Sequence, residues 1–90
     1  MLIDISNSIV NGNTIDAQIA GSRHGALQVI GTPGELTGYL NLVGDEWKPR
    51  DTYTMEGDSD ILELRVPTKG AKIKIVTTGS FERAWINWEG

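Results

Sequence analysis

Apolar and polar residues alternate with a period of two along most of this chain. Ile15, Ala17 and Ile19 are separated by Asp16 and Gln18. Leu62, Leu64 and Val66 are separated by Glu63 and Arg65, and Ala71, Ile73 and Ile75 by Lys72 and Lys74. Successive side chains of a strand point to opposite faces, so this pattern describes antiparallel strands with one face buried and one in water. Residues 2–6, 26–30, 36–43 and 84–89 extend it to about seven strands. No window of helical length keeps an apolar stripe at three-and-four spacing without a glycine or proline interrupting it. The expected fold is therefore all-β: a small antiparallel β-sandwich, jelly-roll or Ig-like, with a closed barrel as the alternative arrangement of the same strands.

Turn chemistry punctuates the same segments. Asn11-Gly12 supplies the positive φ angles of a tight hairpin turn between Ile9-Val10 and Thr14-Ile15. Thr32-Pro33-Gly34, Gly44-Asp45, Glu56-Gly57-Asp58 and Pro67-Thr68-Lys69-Gly70 fall between the other runs. The polar stretch from Gly44 to Asp60 reads as one long loop.

Composition narrows the function. Ninety residues suit one domain, 1–90, with a modest core. Eight Lys and Arg against twelve Asp and Glu give a net charge of -4, which disfavours nucleic acid, because affinity for phosphate backbones rests on basic side chains. There is no cysteine, so disulfides, thiolate nucleophiles and cysteine-ligated zinc are excluded. The first residues, Met1 to Ile5, show no signal-peptide pattern, and no run approaches the ~20 apolar residues of a membrane span. No cofactor and no membrane partner is expected.

Candidate catalytic chemistry is sparse. His24 stands alone in the loop-like stretch Gly21-Ser22-Arg23-His24-Gly25, and neither Ser22 nor Ser80 sits in a nucleophile motif. Asp45, Glu46, Asp51, Glu56, Asp58 and Asp60 gather acid in one segment, as calcium loops do, but without EF-hand spacing, and acidic turns are common because they solvate well. Paired carboxylates of a glycosidase would need a cleft that a chain this short has little surface to build. The expectation is no catalytic residue and no metal ligand.

The tryptophans carry more information. If the last strand is regular, Ala84, Ile86 and Trp88 share one face and Arg83, Trp85 and Asn87 the other, so one tryptophan faces away from the core. Aromatic residues beside arginine are enriched at interface hot spots. The competing reading covers Trp85 within its own domain. Trp47 sits at a loop tip or at the start of an irregular edge strand; with Tyr53 and Tyr39 it either anchors the loop or forms a platform for the apolar face of a sugar. The expected partner-binding residues are Trp85, Arg83 and Asn87 on the outer strand face, and Trp47 and Tyr53 in the loop.

From Gly38 to Trp88 the chain resembles small β-sandwich structural proteins encoded among the head and tail genes of tailed bacteriophages. The residues that carry this are Tyr39-Leu40-Asn41-Leu42 with the following Gly-Asp turn and Trp47, the run from Asp60 to Val66, the stretch from Gly70 to Gly79, and Ala84-Trp85-Ile86. The first 35 residues have no part in it. The resemblance implies a virion component, a capsid decoration or cement protein or a head-tail adaptor, that docks on a capsid or tail protein, with a homo-oligomer such as a trimer as one arrangement. The alternative from the residues alone is a carbohydrate-binding or adhesin-like sandwich, with or without calcium.

Overall fold

A computed structural model describes residues 2–89. Nine strands follow in order: β1 (Leu2–Asp4), β2 (Ile9–Val10), β3 (Thr14–Ile19), β4 (His24–Thr32), β5 (Gly34–Asn41), β6 (Lys48–Met55), β7 (Ser59–Arg65), β8 (Lys72–Thr77) and β9 (Ser80–Trp88). A single 3₁₀ turn, Ser6–Ser8, separates β1 from β2. All pairings are antiparallel. One sheet has the order β1-β9-β4-β7 and the other β2-β3-β8-β5-β6. Consecutive strands from β3 onward mostly cross from one sheet to the other, and this interleaving is that of a jelly roll. The sheets remain separate, so the fold is a sandwich and the barrel alternative falls.

The alternation that predicted the strands also builds the core. Leu27 and Val29 of β4, Leu62 and Leu64 of β7, Ile73 and Ile75 of β8, and Ala84 and Ile86 of β9 are all buried between the sheets, with Leu36, Met55 and Phe81. Trp88 packs against the same cluster. Its cross-strand partner is Gly25, and any side chain there would overlap the indole, which explains why that strand position is a glycine. The Asn11-Gly12 turn forms as expected, with φ of 55° and 70°.

Three expectations need correction. Strands number nine, not about seven, because the Ile9–Val10 edge piece and the Lys48–Met55 strand were not counted. The stretch from Gly44 to Asp60 is not one loop: β6 and the start of β7 occupy most of it. β6 is an edge strand whose first five residues, Lys48 to Thr52, are exposed and include three charges and a proline, so only Tyr53 and Met55 at its end show the alternation of a strand that covers a core. Finally, Ile15, Ala17 and Ile19 do not share a buried face. The pairing of β3 with β8 shifts by one residue between Ile15 and Gln18, so Gln18 opposes Ile73 while Ile19 opposes Lys72 and is 68% exposed. A one-residue bulge exchanges the two faces of everything beyond it.

A candidate docking face

The outer side of the four-stranded sheet is ordered in rows by its register. One row reads Asp4, Trp85, Gln28 and Ile61; the next reads Leu2, Asn87, Ala26 and Glu63; on the other side lie Arg83, Ile30 and Ser59. Arg83, Trp85 and Asn87 therefore stand together on the outward face, while Ala84 and Ile86 are buried beneath them. Apolar side chains share that face: Leu2 is 61% and Ile61 65% exposed, and Ile30 and Trp85 are half-buried.

Trp85 is held by its neighbours. The Arg83 guanidinium lies 5.0 Å from the ring centroid, and its Nη2 is 2.8 Å from Asp4 Oδ2. Arg83 Nε also donates to Ser6 Oγ, while the Ser6 amide donates to Asp4 Oδ1 and the Ala84 amide to Ser6 Oγ. The 3₁₀ turn thus clamps Arg83 along the indole. Hydrogen bonds from Ser6, together with the Arg83 guanidinium, hold the Asp4 carboxyl well below its ordinary range, at about 2. At the far margin Glu63 pairs with Arg65, so the two carboxylates of these rows, Asp4 and Glu63, are each neutralised by an arginine at opposite margins of the face.

Trp47 and Tyr53, expected to share a loop, are separated. Tyr53 lies within β6 and turns inward: it packs against the core, and its hydroxyl donates to the Glu63 carbonyl of β7 at 3.0 Å. It latches the edges of the two sheets together. Burial, then the charges of Asp51 and Glu63, push its phenol upward from the ordinary value of 10.0. Trp47 precedes β6 and reaches over the outer side of the five-stranded sheet, where the Lys74 Nζ lies 4.6 Å from its ring centroid and 5.6 Å from that of Tyr39. The five residues expected to bind a partner thus fall on three surfaces, and only Trp85, Arg83 and Asn87 form one.

The remaining candidates disperse. His24 begins β4 with its side chain exposed, and the Ser22 hydroxyl donates to the His24 backbone carbonyl. Ser80 bonds to the Thr32 hydroxyl. Asp45 and Glu46 lie before β6, and Glu56 and Asp58 after it, so eight strand residues keep the two acidic groups at opposite ends of the sandwich. Among the described residues no three histidine, aspartate or glutamate side chains gather to hold a metal ion, and no helix is long and apolar enough to cross a membrane. Beside Tyr53, Leu64 and Ile75 there is a small pocket of about 30 Å³, which Arg50, Asp51 and Arg65 also line. The apolar neighbours of Trp85 on this outer face are not legible in sequence: Leu2 and Ile61 stand in the polar phase of their strands, and their nearness to Trp85 depends on pairings distant along the chain.

No protein-family model matches the sequence, and no curated protein matches it. Solved structures do share its fold. The C-terminal domain of A223, a structural protein of Sulfolobus turreted icosahedral virus, is 15% identical with a TM-score of 0.54, covering 100% of both chains. A family 29 carbohydrate-binding module is 13% identical with a TM-score of 0.51, over 89% of this chain and 62% of that one. The Drosophila melanogaster CENP-C cupin domain is 16% identical with a TM-score of 0.42, over 84% of this chain and 52% of that one, so this chain spans about half its length. The first two likenesses establish a shared sandwich fold.

Proposed function

We propose that this chain is a non-catalytic structural module of a virion, a capsid decoration or cement protein or a head-tail adaptor, that docks on a capsid or tail protein through the outer face of its four-stranded sheet. The observation that carries this is the clamped, half-buried Trp85 in an apolar strip with Leu2, Ile30 and Ile61, flanked by neutralised ion pairs. A preordered aromatic costs little side-chain entropy on binding and buries a large area, which is what an interface anchor requires. The jelly-roll sandwich is an architecture that capsid proteins use, and the likeness in fold to a viral structural protein supports a virion setting. The mechanism is passive: a subunit that binds only the assembled shell stabilises it by mass action.

Carbohydrate binding is the other reading, and lectin domains use the same architecture. It would rest on Trp47 and Tyr39. Against it, Lys74 already stands over both rings, where the apolar side of a sugar would stack.

The test is co-sedimentation of the purified chain with particles assembled from the capsid and tail proteins of the genome that encodes it; a genome without such proteins overturns the reading. The wild type is expected to sediment in a fixed ratio to the shell and Trp85→Ala to stay in the supernatant. A wild type that stays behind, or a Trp85→Ala variant that sediments equally, overturns the reading.

A further inference from the structure

The two long sheet edges, β6 and β7, carry guards against pairing that β1, protected only by its shortness, does not. β6 carries Lys48, Pro49, Arg50 and Asp51. β7 carries Asp60, Glu63 and Arg65, and gives the Glu63 carbonyl to the Tyr53 hydroxyl. Charges and proline are the usual guards of an edge. On β1, Leu2 is 61% and Ile3 46% exposed, and its one charge, Asp4, is already offset by the Arg83 of its own chain.

The direction of the unpaired groups follows from the register. The Ile5 amide donates to the Ala84 carbonyl, so Ile5, and Ile3 two residues earlier, turn their amides toward β9. In an antiparallel ladder the intervening residues point the other way. The amides and carbonyls of Leu2 and Asp4 therefore face the open side, one residue on each side of Ile3.

That spacing is self-complementary. A second β1, antiparallel about a two-fold axis through Ile3, sets Leu2 opposite Asp4 of the second copy and Asp4 opposite its Leu2. Each pair exchanges both of its bonds, four in all. Ile3 meets Ile3 of the second copy at the closer, non-hydrogen-bonded position, on the side that its partner Ile86 shares with the core. Because each Asp4 brings its own guanidinium, the edge opposes no net charge to its copy, although the chain carries -4.

We propose that two copies of this chain pair through β1 about a two-fold axis at Ile3, joining their four-stranded sheets into one. Both Trp85 faces then lie on the same side of the joined sheet. The pairing stands on the β1 edge and does not require the docking reading, so either can fail alone. A three-residue edge buries far less than the ~1,600 Å² of a standard stable interface, so the dimer is weak and concentration-dependent.

Sedimentation equilibrium over micromolar to millimolar concentration, with amide exchange followed by NMR, tests it. The weight-average mass is expected to rise from 9.8 kDa toward about twice that, with the Leu2 and Asp4 amides gaining protection in step. Leu2→Pro removes an outward amide by symmetry from both sides and should weaken association at least about tenfold with an unchanged circular dichroism spectrum. Leu2→Lys, at an exposed position, should do the same by placing a guard on the edge if the proline variant does not fold. A mass fixed at 9.8 kDa throughout, an assembly of higher order, association without protection at Leu2 and Asp4, or variants that associate as tightly as wild type would each overturn it.

Discussion

Arg83 and Trp85, two residues apart on β9, lie side by side on the outer face of the sheet, the guanidinium 5.0 Å from the indole centroid. A cation over an aromatic at an exposed site contributes about 0.5–1 kcal/mol, and an exposed ion pair about the same or less. Arg83→Gln, which removes both, should therefore cost about 0.5–2 kcal/mol by denaturant unfolding. Its larger effect falls on order: the indole loses its clamp, and the variant should lose the proposed docking while its melting temperature falls by only about 10 °C or less and it stays folded at about 25 °C. Titration of particles with both proteins checks this.

The Asp4 carboxyl gives a second expectation. Hydrogen bonds from Ser6 and the Arg83 guanidinium lower it from 3.8 to about 2. A carboxyl lowered on folding contributes stability above its unfolded value, and that contribution disappears as pH falls through the folded one. The melting temperatures of wild type and Asp4→Asn should differ at neutral pH, and the gap should close between about pH 4 and pH 2. A gap that persists at pH 2 would place the effect of the substitution outside this titration.

At the other edge, Tyr53→Phe removes the bond to the Glu63 carbonyl and should destabilise the domain by about 0.5–1.5 kcal/mol. The phenol is raised on folding, mainly by burial, so the unfolded chain loses its proton first. The stability that depends on the neutral phenol is intact below about pH 10 and declines as pH rises beyond it. Alkaline unfolding of the phenylalanine variant should lack that decline.

Gly31 faces the β9 bulge, where pairing shifts between Ile30 and Gly31. A Cβ there would overlap the carbonyl oxygen of Ser80, which belongs to the backbone and has no easy way to move. Gly31→Ala should cost about 1–3 kcal/mol from overpacking, read as a lower denaturation midpoint with an unchanged slope. Gly44→Ala offers a contrast in cause: nothing crowds that position, and the cost comes only from its φ of 66°.

Much of this fold is legible in the order of residues. Strands that cover the core on one side, such as Leu62-Leu64-Val66 and Ala71-Ile73-Ile75, announce themselves because burial and period two coincide. β6 does not, since an edge strand is stabilised by its backbone ladder to β5 and tolerates charge at most positions. The bulge in β3 is equally silent: nothing in Ile15 to Ile19 marks where pairing with β8 slips. At the candidate site, the outward setting of Trp85 with Arg83 followed from strand geometry alone. Grouping Tyr53 with Trp47 failed because both were placed in a loop, whereas a strand sends Tyr53 inward to the core and leaves Trp47 to reach Lys74 on the opposite side of the molecule. The Asp4–Ser6–Arg83 clamp joins residues nearly eighty positions apart, a distance over which no local pattern speaks.

The β4–β9 pairing also sets a timetable for synthesis. It joins residues 24–32 to residues 80–88 at the centre of one sheet, and β1 docks only on β9. Until β9 has emerged from the ribosome, β1 and one side of β4 have no neighbour, and the four-stranded sheet that covers the other is incomplete. Closure of that sheet therefore waits for the last strand, and folding belongs to the slow end for this size, as ladders between distant segments require. A chain whose β9 is not yet captured exposes an unpaired strand and apolar surface, the condition in which chains of this kind aggregate.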